Sequence, residues 1–462
     1  MTLASFHEAC RTLDGETDPR LGSYITATTS LTNLAHPDSS QVIAVGLKGV
    51  GKSSAFRYLT DFDLKRDIVV AINPDSFELS LPSRRFNYAA CRKQFEQDVV
   101  IEALRAIDSN ASQLASRCGK ALLIQARKHV KSYLEAIKGA AGQVRGLGIS
   151  ILGCGFTISR GEAPTAIGLI PRQEVADALA TLKAICQQGV KVRIVVDDPE
   201  LVFSASQDLD MHLLGGFCLA ALRLSVAIKG FKVVALLKTH VYHPVRESIE
   251  DLSKYPDHTT RLAWTDDELL SLVERRLKAT AVRWSDVFDG GEQEGRALIQ
   301  YMVGLLRNGP RDLLRWFDLA LQQSAGRKLQ RSHIVDTFDK LSRDSLKEME
   351  SAHFVRYEKL GSVVRAIFSS KPGKDFTRQE LLDHLQTVLV KDRRIKSLSG
   401  LDWMQRESSD SLPQTLFEVG ALALRAKSRL ILPYHPDYDQ DAFEGADRFV
   451  LVPGLAAAVT TS

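Results

Sequence analysis

The stretch Gly46-Leu47-Lys48-Gly49-Val50-Gly51-Lys52-Ser53 constrains this chain more than any other. It fits the pattern G-x-x-x-x-G-K-[ST], in which each position has its own task. Gly46, Gly49 and Gly51 let the backbone turn its N–H groups inward, with Val50 between them, around phosphate oxygens. Lys52 supplies a cation for the β and γ phosphates, and Ser53 offers a hydroxyl to Mg²⁺. A helix opening at Ser54 adds the positive end of its dipole. The loop follows the apolar run Val42-Ile43-Ala44-Val45 directly and precedes a helical pattern. Strand, glycine loop and helix in that order are the context a phosphate-binding loop needs, so the cofactors expected are ATP and Mg²⁺.

Three further apolar runs read as buried strands of a parallel sheet: Ile68-Val69-Val70-Ala71-Ile72, the seven residues from Val190 to Val196, and Val233-Val234-Ala235-Leu236-Leu237. Helical stretches stopped by Gly189 and Gly230 precede the last two. This alternation predicts an α/β nucleotide-binding core over residues 41–262, after an N-terminal segment, 1–40, of short helices at most. Between the second and third strands lie two long helical patterns and the glycine-rich residues 139–155, expected as a hairpin or loop.

The capping box Thr265-Asp266-Asp267-Glu268 opens an all-helical region, 263–345, that would serve as a lid. Residues 346–462 hold helices, one expected from Leu412 to Val419, followed by two short strand candidates, Leu430-Ile431-Leu432 and Phe449-Val450-Leu451-Val452. Helices followed by a small hairpin suggest a winged helix.

A phosphate loop needs a carboxylate at the end of a second buried strand to hold the metal through its water shell. Asp197 ends the third strand and fits that need; Asp198 or Glu200 then stands ready to orient or deprotonate the attacking water. The fourth strand ends in Lys238-Thr239-His240. His240 and His243 have metal-ligand spacing but no carboxylate or cysteine nearby in sequence. Within the helical region, Gly309-Pro310 ends one helix and starts another. That turn is either a simple connection or a device that brings Pro310 to the adenine and Arg311 to the phosphates as a sensor. Arg246 is either a surface residue or an arginine finger toward a neighbouring subunit.

Composition narrows the setting. The six cysteines are widely spaced, with no C-x-x-C pair, which suits reduced thiols and a cytoplasmic protein. The N-terminus lacks the basic and apolar regions of a signal peptide, and the longest membrane-like stretch, from Gly146 to Ile158, is too short to span a bilayer as a helix. A net charge of +4 over 462 residues does not by itself point to nucleic acid.

GLKGVGKS, VVDDPE, LLKTH, WTDDELL and NGPRDLL, in this order, resemble the bacterial P-loop ATPases of the STAND and KAP-like group and, more distantly, origin-recognition-type AAA+ proteins. Asp197-Asp198 is similar to their Walker B motif, following the Walker A loop at 46–53. The resemblance implies that Lys52 and Ser53 are phosphate and Mg²⁺ ligands, that Asp197 is the metal carboxylate and Asp198 the water-polarising acid, and that Lys238 or Thr239 is a sensor of the γ-phosphate. It also implies a helical lid in which Asn308 takes a position usually held by glycine, using the left-handed geometry that Asn tolerates.

Three functions follow as expectations. One is an ATPase switch whose nucleotide state controls homo-oligomer formation or a protein partner, as in bacterial stress response or antiviral (phage) defence. Another is a DNA-binding loader or remodeller using the winged helix and the basic clusters Lys391-Asp392-Arg393-Arg394-Ile395-Lys396 and Arg425-Ala426-Lys427-Ser428-Arg429. The last is a scaffold that binds nucleotide without turning it over.

Overall fold

The computed structural model describes residues 3–12, 15, 17–36, 38–63, 67–72, 88–143, 172–199, 207–254, 256–354, 356–391, 403, 411–427 and 429–460. The chain divides into two compact units. One comprises residues 29–46 and 55–261, and the other residues 1–28, 47–54 and 262–462.

The first unit is organised around a parallel sheet of five strands: β1 (Ile43–Gly46), β2 (Ile68–Ile72), β3 (Val192–Asp197), β4 (Phe231–Lys238) and β5 (Thr259–Arg261). Their order is β2-β3-β4-β1-β5, with every neighbouring pair parallel. The four strands expected from apolar runs are all present. Strand β5 has the sequence Thr-Thr-Arg and lies at the sheet edge beside β1, where an apolar run is not required. Helices Tyr88–Ser109 and Gln207–Ala227 pack together over the sheet, and Phe95 meets Phe217 edge to face at 5.5 Å between centroids. Helix Lys120–Gln143 includes the first five residues of the glycine-rich stretch, which are therefore helical rather than part of a loop; residues 144–155 of that stretch lie outside the described residues.

Two cations sit where the strand pattern would place apolar side chains. Arg193 on β3 is 0% exposed and stands in register with Lys232 on β4, which is 3% exposed. Their buried charges are satisfied by backbone carbonyls. Arg193 donates to Leu59 O at 3.1 Å and Ala35 O at 2.7 Å and pairs with Asp63 at 2.7 Å. Lys232 donates to Leu34 O at 2.7 Å. Both reach the C-terminal end of helix Thr29–Ala35, whose last carbonyls have no partner within the helix and carry its negative dipole end.

Glu102, on helix Tyr88–Ser109, is 6% exposed. Burial pushes its carboxyl up from 4.5 to about 7, against the pull of Arg105. The folded-state value is raised, so this group's contribution to stability is complete below pH 4.5 and is lost as pH rises through about 7. Glu102→Gln is accordingly expected to stabilise the protein by about 2 to 3 kcal/mol at pH 8 and to change little at pH 4. Urea unfolding at the two pH values measures the difference.

In the second unit, helices Asp266–Ala279, Gly291–Val303, Pro310–Ser324 and Arg331–His353 follow one another, and the last is continuous across residue 345. The capping box expected at Thr265 forms: Glu268 N donates to Thr265 Oγ1 at 3.2 Å and Thr265 N to Glu268 Oε2 at 2.9 Å. Helices Leu360–Phe368, Arg378–Lys391 and Leu412–Glu418 accompany an antiparallel sheet of β6 (Phe376–Thr377), β7 (Leu422–Ala426), β8 (Arg429–Ile431) and β9 (Arg448–Leu451), in the order β6-β9-β7-β8. The two expected strands are present as β8 and β9, but they do not form a hairpin with each other. Each pairs with β7 instead, whose buried residues Leu422, Ala423 and Leu424 form the centre of the sheet. No helix among the described residues is long and apolar enough to cross a membrane.

Candidate functional site

Strand β1 delivers the chain at Gly46 to the carboxyl edge of the sheet, the edge outside which ligands bind in open α/β sheets. The next residues form the glycine loop. Gly49 and Gly51 have φ of +93° and +102°, a region that L side chains rarely adopt, so both glycines serve the conformation that turns the loop. Helix Lys52–Arg57 starts directly after it, and its chain continues as a π-helical turn, Tyr58–Phe62. Lys52 is 7% exposed, while Ser53 and Ser54 are partly exposed.

Loop residues 47–54 belong to the same unit as residues 262–462, and several side chains there hold the loop. Trp264 Nε1 donates to Val50 O at 2.8 Å. Its own backbone N–H donates to Tyr434 O at 2.9 Å, and the Tyr434 hydroxyl donates to Val303 O at 2.9 Å. A Cβ at Gly49 would lie 3.1 Å from Asn308 Cβ and 3.2 Å from Arg311 Cδ, so both residues pack against the loop backbone. The turn expected at 309–310 therefore does more than join two helices: it carries Asn308 and Arg311 to the loop. Pro310 is buried in the first turn of its helix. The left-handed residue of this turn is Gly309, with φ of +65°, and not Asn308 as the resemblance implied.

The turn owes its shape to Asp312. Asp312 Oδ2 accepts from the backbone N–H of Arg307 at 3.1 Å and of Asn308 at 2.9 Å. Oδ1 accepts from Asn308 Nδ2 at 3.3 Å, and Arg307 Nη1 donates to Asn308 Oδ1 at 2.9 Å. All three residues are buried. Burial pushes the Asp312 carboxyl up, opposed by the Arg307 guanidinium, and burial lowers Arg307. Sequence spacing assigns neither Asp312 nor Trp264 a site role: Trp264 meets Val50, 214 residues away, and the partners of Asp312, though only four and five residues before it, are backbone N–H groups that carry no residue signature. The only local signal was an acidic residue in the first turn of a helix behind Gly-Pro.

In the other unit, β3 and β4 bring their polar ends to one edge of the sheet. Asp197 is in register with Leu236, and Lys238 with Gly46 at the end of β1. Asp197 is 4% exposed. Asp198 has φ of +37°, an unusual conformation for a residue with a side chain, and its N–H donates to Asp197 Oδ1 at 3.0 Å. Strain of this kind clusters at functional positions. Lys238 Nζ lies 3.4 Å from Asp198 Oδ2, so two residues singled out on separate strands form an ion pair. Asp198 Oδ1 and Thr239 Oγ1 are buried and have no hydrogen-bond partner among the described residues, which leaves an acceptor and a hydroxyl at the ends of adjacent strands.

Other candidates are placed less informatively. Glu200 lies outside the described residues, as do residues 392–396 of one basic cluster. In the other cluster Arg425 pairs with Asp375 at 2.9 Å and Arg429 with Asp437 at 2.7 Å. His240 and Arg246 lie on helix Thr239–Ser248, and the side chain of His243 is outside the description. Among the described residues, no group of three or more His, Cys, Asp or Glu is placed to hold a metal ion. Such a group is not what Mg²⁺ requires, since that ion usually keeps several waters and takes one or two protein oxygens beside substrate phosphates. Ser53 in one unit and Asp197 in the other each carry a hard oxygen of the kind that ion takes.

No family model matches the chain, and no curated protein matches it. Among solved structures, a Walker-type ATPase of Pyrococcus abyssi is similar over 94% of this chain and 95% of its own, at 12% identity and a TM-score of 0.46. The ORC2 protein of Aeropyrum pernix in its ADPNP–ADP complexes is similar over 99% of this chain and 96% of its own, at 12% identity and a TM-score of 0.37. Its ADP form covers the same shares at 13% identity and a TM-score of 0.35. Similarity at this level leaves the functional assignment to the residues themselves.

Proposed function

We propose that this chain is an ATPase of the P-loop class, a molecular switch whose nucleotide state controls self-association or the binding of a protein partner. The observation that carries the proposal is the loop at 46–53: it leaves a parallel strand, turns through two positive-φ glycines and enters a helix at Lys52. Its backbone N–H groups and Lys52 would bind the phosphates; Ser53, and on β3 Asp197, are the residues that would serve as oxygen donors to Mg²⁺. That ion neutralises charge on the phosphates when bound. Asp198 orients the attacking water and accepts its proton, and Lys238 holds the Asp198 carboxylate in place through the ion pair between them. Thr239 offers its hydroxyl beside them.

The switch reading draws support from the way residues of the C-terminal region hold the loop. Trp264, Asn308 and Arg311 touch the phosphate loop itself, so a bound phosphate alters the surroundings of side chains that belong to residues 262–462. Action in bacterial stress response or phage defence is the part of the proposal that rests on the STAND and KAP-like motifs alone. A winged-helix role in gripping DNA has less in its favour, since Arg425 and Arg429 are each paired with a carboxylate.

The test is phosphate release with Mg²⁺ and ATP, beside molecular size by light scattering with and without ATP. Wild-type protein is expected to turn over and to change size or partner binding. Asp198→Asn is expected to bind ATP normally and to lose turnover by about 10² to 10⁴-fold, the usual contribution of a positioned general base. Turnover undiminished in Asp198→Asn would remove Asp198 from the chemistry, and a wild type that binds ATP but never hydrolyses it would leave the scaffold reading.

A further inference from the structure

We propose that Glu348 is the resting counter-ion of Arg311, which Arg311 exchanges for a nucleotide phosphate when the loop is filled; this rests on the nucleotide reading of the loop. Arg311 has its stem against Gly49 and its head turned away: Nη1 donates to Glu348 Oε1 at 2.7 Å. A guanidinium offers five donors in a planar fork suited to phosphate as well as carboxylate, and a flexible stem anchored beside the loop allows it to face either partner. Lys48 and Lys52 belong to the loop sequence itself and Arg311 packs on Gly49, so cationic charge gathers at the loop, and Glu348 supplies an opposing charge to Arg311.

What makes the exchange inexpensive is the second cation. Glu348 lies on helix Arg331–His353, four residues after Asp344, and faces Arg311 and Arg315, four residues apart on helix Pro310–Ser324. Arg315 Nη1 stands 3.7 Å from Glu348 Oε2, and Arg315 Nη2 pairs with Asp344 Oδ2 at 3.0 Å. Glu348 has a side chain 12% exposed, so an unpaired charge there would be costly. When Arg311 leaves, Arg315 remains to compensate it. The ladder thus has one exchangeable rung, next to the phosphate loop, and one fixed rung. Glu348 acts through Arg311 and is a positioning residue: it competes with phosphate for the guanidinium and so sets nucleotide affinity.

A purely structural ion pair and an exchangeable one differ in the sign of a mutation's effect. Removing the charge in Glu348→Gln frees Arg311 for phosphate, so affinity for the non-hydrolysable analogue AMP-PNP with Mg²⁺ is expected to rise by about five- to tenfold in the full chain, measured by calorimetry. In an Arg311→Ala background the same change is expected to leave affinity unaltered, because the exchanging group is gone. Glu348→Asp, which keeps the charge but withdraws it by one methylene, is expected to give a smaller gain and carries the comparison if Glu348→Gln does not fold. Unchanged or weakened binding in both Glu348 variants, or a gain that persists without Arg311, would overturn the inference while leaving nucleotide binding by the wild type intact. A wild type that does not bind AMP-PNP would overturn the nucleotide reading and this inference together.

Discussion

Lys52→Ala is expected to lower ATP affinity by about 30- to 4,000-fold, since truncating one member of a buried charge pair typically costs about 2 to 5 kcal/mol. The expectation rests on where the lysine stands. It opens the helix behind Gly51, is 7% exposed, and shares its compact unit with the loop it serves. The amine stands where the glycine loop passes into its helix, the position from which a P-loop lysine meets the β and γ phosphates. Equilibrium dialysis with labelled ATP measures the loss, and circular dichroism checks that the variant is folded. Affinity within threefold of wild type in a folded Lys52→Ala protein would show that the lysine does not meet the phosphates.

The largest effect on stability is expected at Asp63. Its carboxylate pairs at 2.7 Å with Arg193, whose side chain is 0% exposed in the middle of β3. Asp63→Asn leaves that guanidinium with backbone carbonyls alone, and breaking a buried pair on one side is expected to cost about 3 to 5 kcal/mol. Exchanging both residues, Arg193→Met with Asp63→Leu, is expected to restore much of the loss, because the buried charge goes together with its partner. Urea unfolding of the three proteins measures this, and a cost below 1 kcal/mol for Asp63→Asn would show that the carbonyls of Leu59 and Ala35 suffice for Arg193.

The sheet is largely legible because β1, β3 and β4 are buried on both faces and therefore read as apolar runs ending in glycine or polar residues, and the partly exposed edge strand β2 is apolar throughout. The reading broke down where packing, not local pattern, decides. Strand β5 is three residues long and polar, and β7 was passed over although it forms the centre of its sheet. In sequence Arg193 reads as an ordinary polar interruption of its run and Lys232 stands just before the next one; that both are buried follows from the end of helix Thr29–Ala35 lying over them. For the site, the glycine loop and the strand-end acids were legible because short-range spacing defines them. The side chains that hold the loop were not. Val50 and Trp264 are 214 residues apart, and Arg311 and Glu348 are 37 apart, so no local spacing announces either pair. The function of Asp312 as the acceptor that shapes the Asn308 turn likewise depends on which N–H groups the fold directs at it.

Every role proposed for this protein requires that the loop at 46–53 bind nucleotide phosphate. Calorimetric titration of the intact chain with ATP and Mg²⁺ tests it most directly. Saturable binding of one ATP per chain, abolished by an excess of ADP, is the predicted result. A folded wild-type protein that shows no heat and no competition at millimolar ATP would contradict it.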